Sequence, residues 1–146
     1  MTPSILRSAL AAIAITAALA VASPSMAAMV SMKADLKASN EVPVNDSKGS
    51  GSVAVTFDDA SKKLSWKGTY ANLSGPATAA HFHIGEAGKN GGVAVPIFAG
   101  AAAKSPFEGE ATLTDAQVAD LMAGKFYVNI HTAAHKAGEL RGQVTK

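Results

Sequence analysis

No cysteine occurs in the 146 residues. That absence excludes disulfides, thiolate metal sites, thiol catalysis and cysteine-held iron–sulfur clusters. Aromatics are scarce: one Trp, two Tyr and five Phe, all between Phe57 and Tyr127. No long run of one charge occurs, because lysines and acids alternate along most of the chain. Without a basic cluster interleaved with aromatics, nucleic acid is not an expected partner. Neither a Gly-x-Ser-x-Gly elbow nor a close carboxylate pair is present, so no catalytic residue is assigned. The glycine-rich stretch Gly85 to Gly92 lacks the Gly-Lys-Ser/Thr ending of a phosphate loop, and no helical pattern follows it.

Only one long hydrophobic run exists, and it comes first. Arg7 is the single charge of Met1 to Arg7, and Ser8 to Ala22 is uncharged and mostly Ala, Leu, Ile and Val. Pro24 follows, then Ser25-Met26-Ala27 with small residues at the two positions a signal peptidase reads. This is the order of a secretory signal. The run stops short of the roughly 20 apolar residues a spanning helix needs. Cleavage after Ala27 or Ala28 is expected, giving a signal peptide over 1–27 and one domain over 28–146. The protein is then periplasmic or secreted, with no membrane span after cleavage. Much of the 48% hydrophobic content is signal-peptide alanine, and the formal net charge of +2 falls to about +1 without Arg7. An exported domain without disulfides is held by packing, with or without a metal.

Past the signal, short alternating segments are split by Gly, Pro, Asn and Ser. Val30 to Leu36, Val53 to Phe57 and Leu64 to Tyr70 read as strands, the last two as a hairpin around Asp58 to Lys63. Ala79 to Ile84 is a fourth strand. Val93 to Phe98 is a fifth, moved to an edge by Pro96. Phe107 to Leu113 is a weak sixth. Thr114 and Gln117 form a capping box, with Asp115 in the first turn, Val118, Leu121 and Met122 as an apolar face and Gly124 as the stop. This gives one short helix over about 114–123. Lys125 to Thr132 is the clearest strand, and Leu140 to Val144 is the last. The expected fold is all-β: a Greek-key β-sandwich or barrel of about eight short antiparallel strands.

All four histidines fall in two places: His81 and His83 in the fourth strand, His131 and His135 at the end of the seventh and in the turn after it. Residues i and i+2 share a strand face, so His81 and His83 point together while Phe82 and Ile84 point to the core. If the two strands meet, three imidazoles converge, a set that suits copper, zinc or nickel and leaves a position open. Equally, such histidines can be polar surface residues or can anchor loops through ring-to-carbonyl hydrogen bonds. His135 is a further candidate ligand, in a turn whose geometry the sequence does not give. Glu41 and Glu86 are candidate outer carboxylates of the site. Glu139 and Arg141 share a strand face and read as a surface pair, worth little energetically.

Asn40-Glu41-Val42-Pro43, Ala80-His81-Phe82-His83 with Gly85 and Asn90-Gly91, Gly124 to Thr132, and Gly138 to Gln143 together resemble the CHRD (chordin) domain, over about Val30 to Lys146. The resemblance implies an extracellular binding domain, and its matching positions are Glu41, His81, His83, Asn129, His131, Glu139 and Arg141. Val44 departs from a pattern in which a second proline is common. The chain is more distantly similar to copper–zinc superoxide dismutase, whose copper ligands His81, His83 and His131 would match. The bridging histidine, the other zinc ligands and the cysteine pair have no counterparts, which leaves at most a copper-only site with His135 as fourth ligand. Three functions follow as expectations. One is an exported CHRD-domain protein binding copper or zinc through His81, His83, His131 and His135. Another is a module for an extracellular protein or polysaccharide, with structural histidines. The third is a copper-only dismutase-like enzyme.

Overall fold

The computed structural model describes residues 28–146. Met1 to Ala27, and with them the signal-peptide reading, lie outside the described residues.

Period-two alternation decides the first half of the domain. β1 (Met29–Lys37) turns Met32, Ala34 and Leu36 inward and leaves Lys33 and Asp35 exposed. β2 (Ser50–Asp58) buries Val53, Val55 and Phe57, and β3 (Lys63–Ala71) buries Leu64 and Trp66. Asp58 closes the hairpin between β2 and β3: its Oδ1 accepts from the Ala60 amide at 3.0 Å and its Oδ2 from the Ser61 hydroxyl at 2.8 Å. The register aligns Met32 with Val55 and Val55 with Trp66, a continuous apolar row across three strands. That row ends at Gly109 of β6 (Phe107–Thr112), opposite Trp66. A Cβ at Gly109 would lie 2.5 Å from the indole, so the glycine is the space the tryptophan fills.

The other strands are β4 (Ala77–Ile84), β5 (Gly92–Ala99), β7 (Phe126–Thr132) and β8 (Leu140–Gln143). All eight join one antiparallel sheet in the order β5-β4-β7-β8-β1-β2-β3-β6, curled into a nearly closed barrel. Of sandwich and barrel, the barrel forms. Its two ends meet through rings: Phe98 of β5 and Phe107 of β6 pack edge to face at 5.2 Å, with Tyr70 6.2 and 6.1 Å from them. Across this seam the spatial order β3-β6-β5-β4 is a Greek-key connection. Pro96 sits in β5, an end strand as expected.

One helix, α1 (Asp115–Met122), carries the chain from β6 to β7. Thr114 Oγ1 accepts from the Gln117 amide at 3.2 Å, and Gln117 Oε1 accepts from the Thr114 amide at 2.9 Å, completing the capping box. Gln117 Nε2 also donates to the Ala94 carbonyl on β5, at 3.1 Å. Gly124 follows at φ +74°, a conformation glycine adopts without a Cβ penalty. The expected apolar face is narrower than predicted. Leu121 is buried, but Met122 is exposed, because two turns offer the core little more than one buried position. The loops leading into β2 and β6 tighten into 3-10 turns at Ala38–Asn40 and Gly100–Ala102.

Phe82, fully buried behind the two β4 histidines, packs on Trp66 at 5.2 Å and near Phe126 at 6.3 Å. Phe82→Ala is expected to cost about 3–5 kcal/mol. Thr114→Ala, which removes only a cap, should cost about 1 kcal/mol. Urea unfolding of both variants checks the ranking, and equal losses would contradict it.

Candidate metal centre

β7 lies between β4 and β8, and its pairing places like faces side by side. Opposite residues are His83 and Tyr127, His81 and Asn129, Asn129 and Arg141, Tyr127 and Gln143. One face of these three strands carries Phe82, Val128, Ile130 and Leu140 into the barrel core. The other carries His81, His83, Tyr127, Asn129, His131, Arg141 and Gln143. This outer face is not open to water: Tyr127, Asn129 and Arg141 are buried along with the apolar residues. Of the three loops over it, 38–49 bonds Asn129 through Glu41, 85–91 bonds Tyr127 and Arg141, and 133–139 bonds His131 through the Lys136 carbonyl.

His81, His83 and His131 converge, and one ring nitrogen from each lies within 4.8 Å of the others. His81 Nδ1 is 3.2 Å from His131 Nε2. The remaining contacts fix which nitrogen carries the proton. His83 Nδ1 lies 3.0 Å from the Gly91 carbonyl, and His131 Nδ1 lies 3.0 Å from the Lys136 carbonyl. A carbonyl accepts only, so both Nδ1 atoms are protonated donors and both Nε2 atoms carry lone pairs. His131 Nε2 then accepts from His81 Nδ1. His83 Nε2 is buried with no hydrogen-bond partner among the described residues. A buried bare lone pair is costly to leave unmatched. Two nitrogens on one ion at about 2.1 Å each stand about 3.4 Å apart in tetrahedral geometry. The His81–His131 pair already has that spacing, and transfer of the His81 proton from Nδ1 to Nε2 frees the second lone pair.

Burial holds all three imidazoles below the usual histidine range. Neighbouring imidazoles add to this at His81 and His131, and the Arg141 charge adds to it at His83. The Gly91 and Lys136 carbonyls oppose the shift at His83 and His131. The rings are therefore neutral at pH 7, the form that ligates a metal.

Around this cluster lie two buried carboxylates with opposite behaviour. Glu139 accepts four hydrogen bonds: from the Ser47 hydroxyl at 2.5 Å, the Ser74 amide at 2.7 Å, the Ser74 hydroxyl at 2.7 Å and the Thr132 hydroxyl at 2.6 Å. Burial alone would raise its pKa, but these donors outweigh it and hold the carboxyl at about 2. Glu41 receives the Asn129 amide nitrogen, and burial dominates there, lifting it from 4.5 to about 7 against the pull of Asn129 and Arg141. Arg141 donates to the Glu86 carbonyl (3.0 Å), the Lys89 carbonyl (2.7 Å) and Asn90 Oδ1 (3.2 Å), with its guanidinium carbon 3.6 Å from the centre of the Tyr127 ring.

The structure brings together three of the four candidate ligands. His135 stands apart in the turn, where its amide donates to Thr132 Oγ1 at 3.2 Å, and it lines a separate hollow of about 230 Å³ with Glu41 and Val42. The surface-pair reading of Glu139 and Arg141 is corrected. Both are buried, and they serve different loops, because Glu139 precedes β8 and turns to Ser47 and Ser74. Neither candidate outer carboxylate reaches the histidines. Glu86 pairs with Lys89 at 2.9 Å in solvent, and Glu41 holds Asn129. Backbone carbonyls at Gly91 and Lys136 take that outer role. Sequence carries little signal for a carbonyl, beyond the Asn90-Gly91 pair in the loop that holds one of them.

An all-β barrel with three histidines gathered on a loop-covered outer face defines the class of domain. A family model described as the CHRD domain matches residues 32–144, and the chain belongs to that family. No curated protein and no solved structure matches the chain.

The two carboxylates predict opposite pH effects. Glu41 is ordinary, at 4.5, in the unfolded chain but about 7 when folded. It therefore destabilises the fold increasingly as pH rises from 4.5 to 7, relative to Glu41→Gln. Glu139 is depressed to about 2, so its contribution is complete above 4.5 and is lost as pH falls towards 2, relative to Glu139→Gln. Denaturation midpoints of wild type and both variants between pH 2 and 8 check this. Difference curves that are flat over those windows would contradict it.

Proposed function

We propose that this CHRD-domain protein is exported and binds one transition-metal ion, copper or zinc, through His81, His83 and His131. The observation that carries the reading is the bare, buried Nε2 of His83, aligned with two further imidazoles whose geometry suits shared ligation. The donor set supports it as well: three neutral imidazoles favour borderline metals, and affinity for such sites peaks at copper in the divalent series. Three ligands leave a coordination position for water or another molecule. Protein-chelator exchange followed by calorimetric titration with Cu(II) and Zn(II) is the test. Wild type should bind one equivalent. His81→Ala/His83→Ala should lose more than about 100-fold in affinity, beyond the 10–100-fold that changes outside the ligand set give.

A second reading has its own support. The Nδ1 bonds of His83 and His131 to loop carbonyls suit histidines that anchor loops in a module for an extracellular protein or polysaccharide. Equal, weak metal binding by wild type and double variant, with lower stability in the variant, would favour it and remove the first.

Export rests on the order of charge, apolar run and small residues before Ala28. The protein recovered from outside the cytoplasm should begin at Ala28 or Met29 by mass spectrometry. Recovery only with Met1 retained would remove this part of the proposal.

A further inference from the structure

We propose that Tyr127 and Arg141 are positioning residues for His83, acting through the loop that ends at Gly91; the consequence for metal affinity rests on the metal-binding reading above.

The argument begins at His83 Nδ1, whose only acceptor among the described residues is the Gly91 carbonyl at 3.0 Å. That carbonyl is held by its own residue's surroundings. The Gly91 amide donates to Tyr127 Oη at 3.0 Å. A Cβ at Gly91 would lie 1.6 Å from the Ile84 carbonyl oxygen, so the loop closes backbone against backbone over the end of β4. Upstream, Arg141 grips the loop at three residues, Glu86, Lys89 and Asn90. Asn90 in turn donates to the Val42 carbonyl at 2.8 Å. A guanidinium offers several donors in a rigid plane, so three acceptors in one loop are fixed relative to one another.

The same two residues reach His83 from the side. The rings of His83 and Tyr127 stack with centres 5.0 Å apart and planes 11° apart. Arg141 contacts the Tyr127 ring from β8, whereas His83 contacts it from β4, and β7 lies between. Tyr127 is thus sandwiched. Arg141 appears in no ion pair among the described residues. Its charge is met by carbonyls, an amide oxygen and an aromatic face, each of which also sets the position of the loop or of His83. A ligand imidazole needs its second nitrogen committed to an acceptor so that the first points its lone pair at the ion. Here that commitment depends on a loop held by Arg141 and Tyr127.

His131 supplies an internal control, because its acceptor is Lys136 on a different loop. In ring-nitrogen NMR of the metal-free protein, wild-type His83 and His131 should both show protonated Nδ1 and bare Nε2. Tyr127→Phe keeps the stacked ring but loses the bond to Gly91. Asn90→Ala loosens the loop from Arg141, and Arg141→Lys removes the fork. In each folded variant His83 should drift towards a mixture of tautomers while His131 stays as it is. Titration with Co(II) should then show one equivalent bound, with affinity lower by about tenfold and an altered d–d spectrum. His83 remaining fully Nδ1-protonated in Tyr127→Phe and Asn90→Ala would overturn the proposal, whatever the metal result. Absence of Co(II), Cu(II) and Zn(II) binding by wild type would overturn the metal-binding reading, and the nitrogen spectra would still decide the positioning role.

Discussion

Everything about the outer layer follows from one constraint: β7 is covered on both faces. Its inner side chains, Phe126, Val128 and Ile130, meet the core as those of any barrel strand do. Its outer ones are polar: Tyr127 and Asn129 are buried and His131 half-buried under three loops, so they need partners within the protein. The neighbouring strands provide part of the answer, since the register puts histidines on one side and Arg141 and Gln143 on the other. The loops provide the rest. The Gly91 amide donates to Tyr127 Oη, Glu41 accepts from Asn129, and the Lys136 carbonyl accepts from His131 Nδ1. The long connections are therefore a second layer of the domain, built on polar satisfaction where the barrel interior is built on apolar packing.

Within that layer the histidines divide their two nitrogens between tasks. In His83 and His131, Nδ1 anchors a loop and Nε2 faces the other rings. Loop-anchoring and ligand-presenting readings of these residues are thus not rivals at the level of geometry. One ring performs the first through one atom and is prepared for the second through the other. His81 differs. Its Nδ1 is turned to His131 and has no loop carbonyl, so it is the least constrained of the three.

Much of the barrel was legible because alternation survives where one face is dry and the other wet. All eight strands and the capped helix lie where the pattern put them, within a few residues. Met122 was misread because a helix of eight residues has too little length for its apolar side to be settled by spacing alone. The pairing of His81 and His83 with His131 was legible through strand parity, which needs only i and i+2. Burial of Glu139 and Arg141 was not, since charged residues at strand ends normally face solvent and nothing local announces a covering loop. The resemblance to the CHRD domain did single out both, together with Glu41 and Asn129, without saying what they touch. The carbonyls of Gly91 and Lys136 belong to backbone conformation, which composition does not encode.

The aromatic seam between β5 and β6 gives the barrel a mechanical character. Among the described residues, every other neighbouring pair of strands is hydrogen-bonded, β1 and β8 through Lys37–Arg141 and a Lys33–Thr145 bridge, whereas this junction is held by Phe98, Phe107 and Tyr70. Ring contacts resist separation weakly and without direction, and a ladder resists it bond by bond. The domain is thus a split ring. Its compliance is concentrated at one line, and a slight widening there leaves the β4-β7-β8 pairing intact.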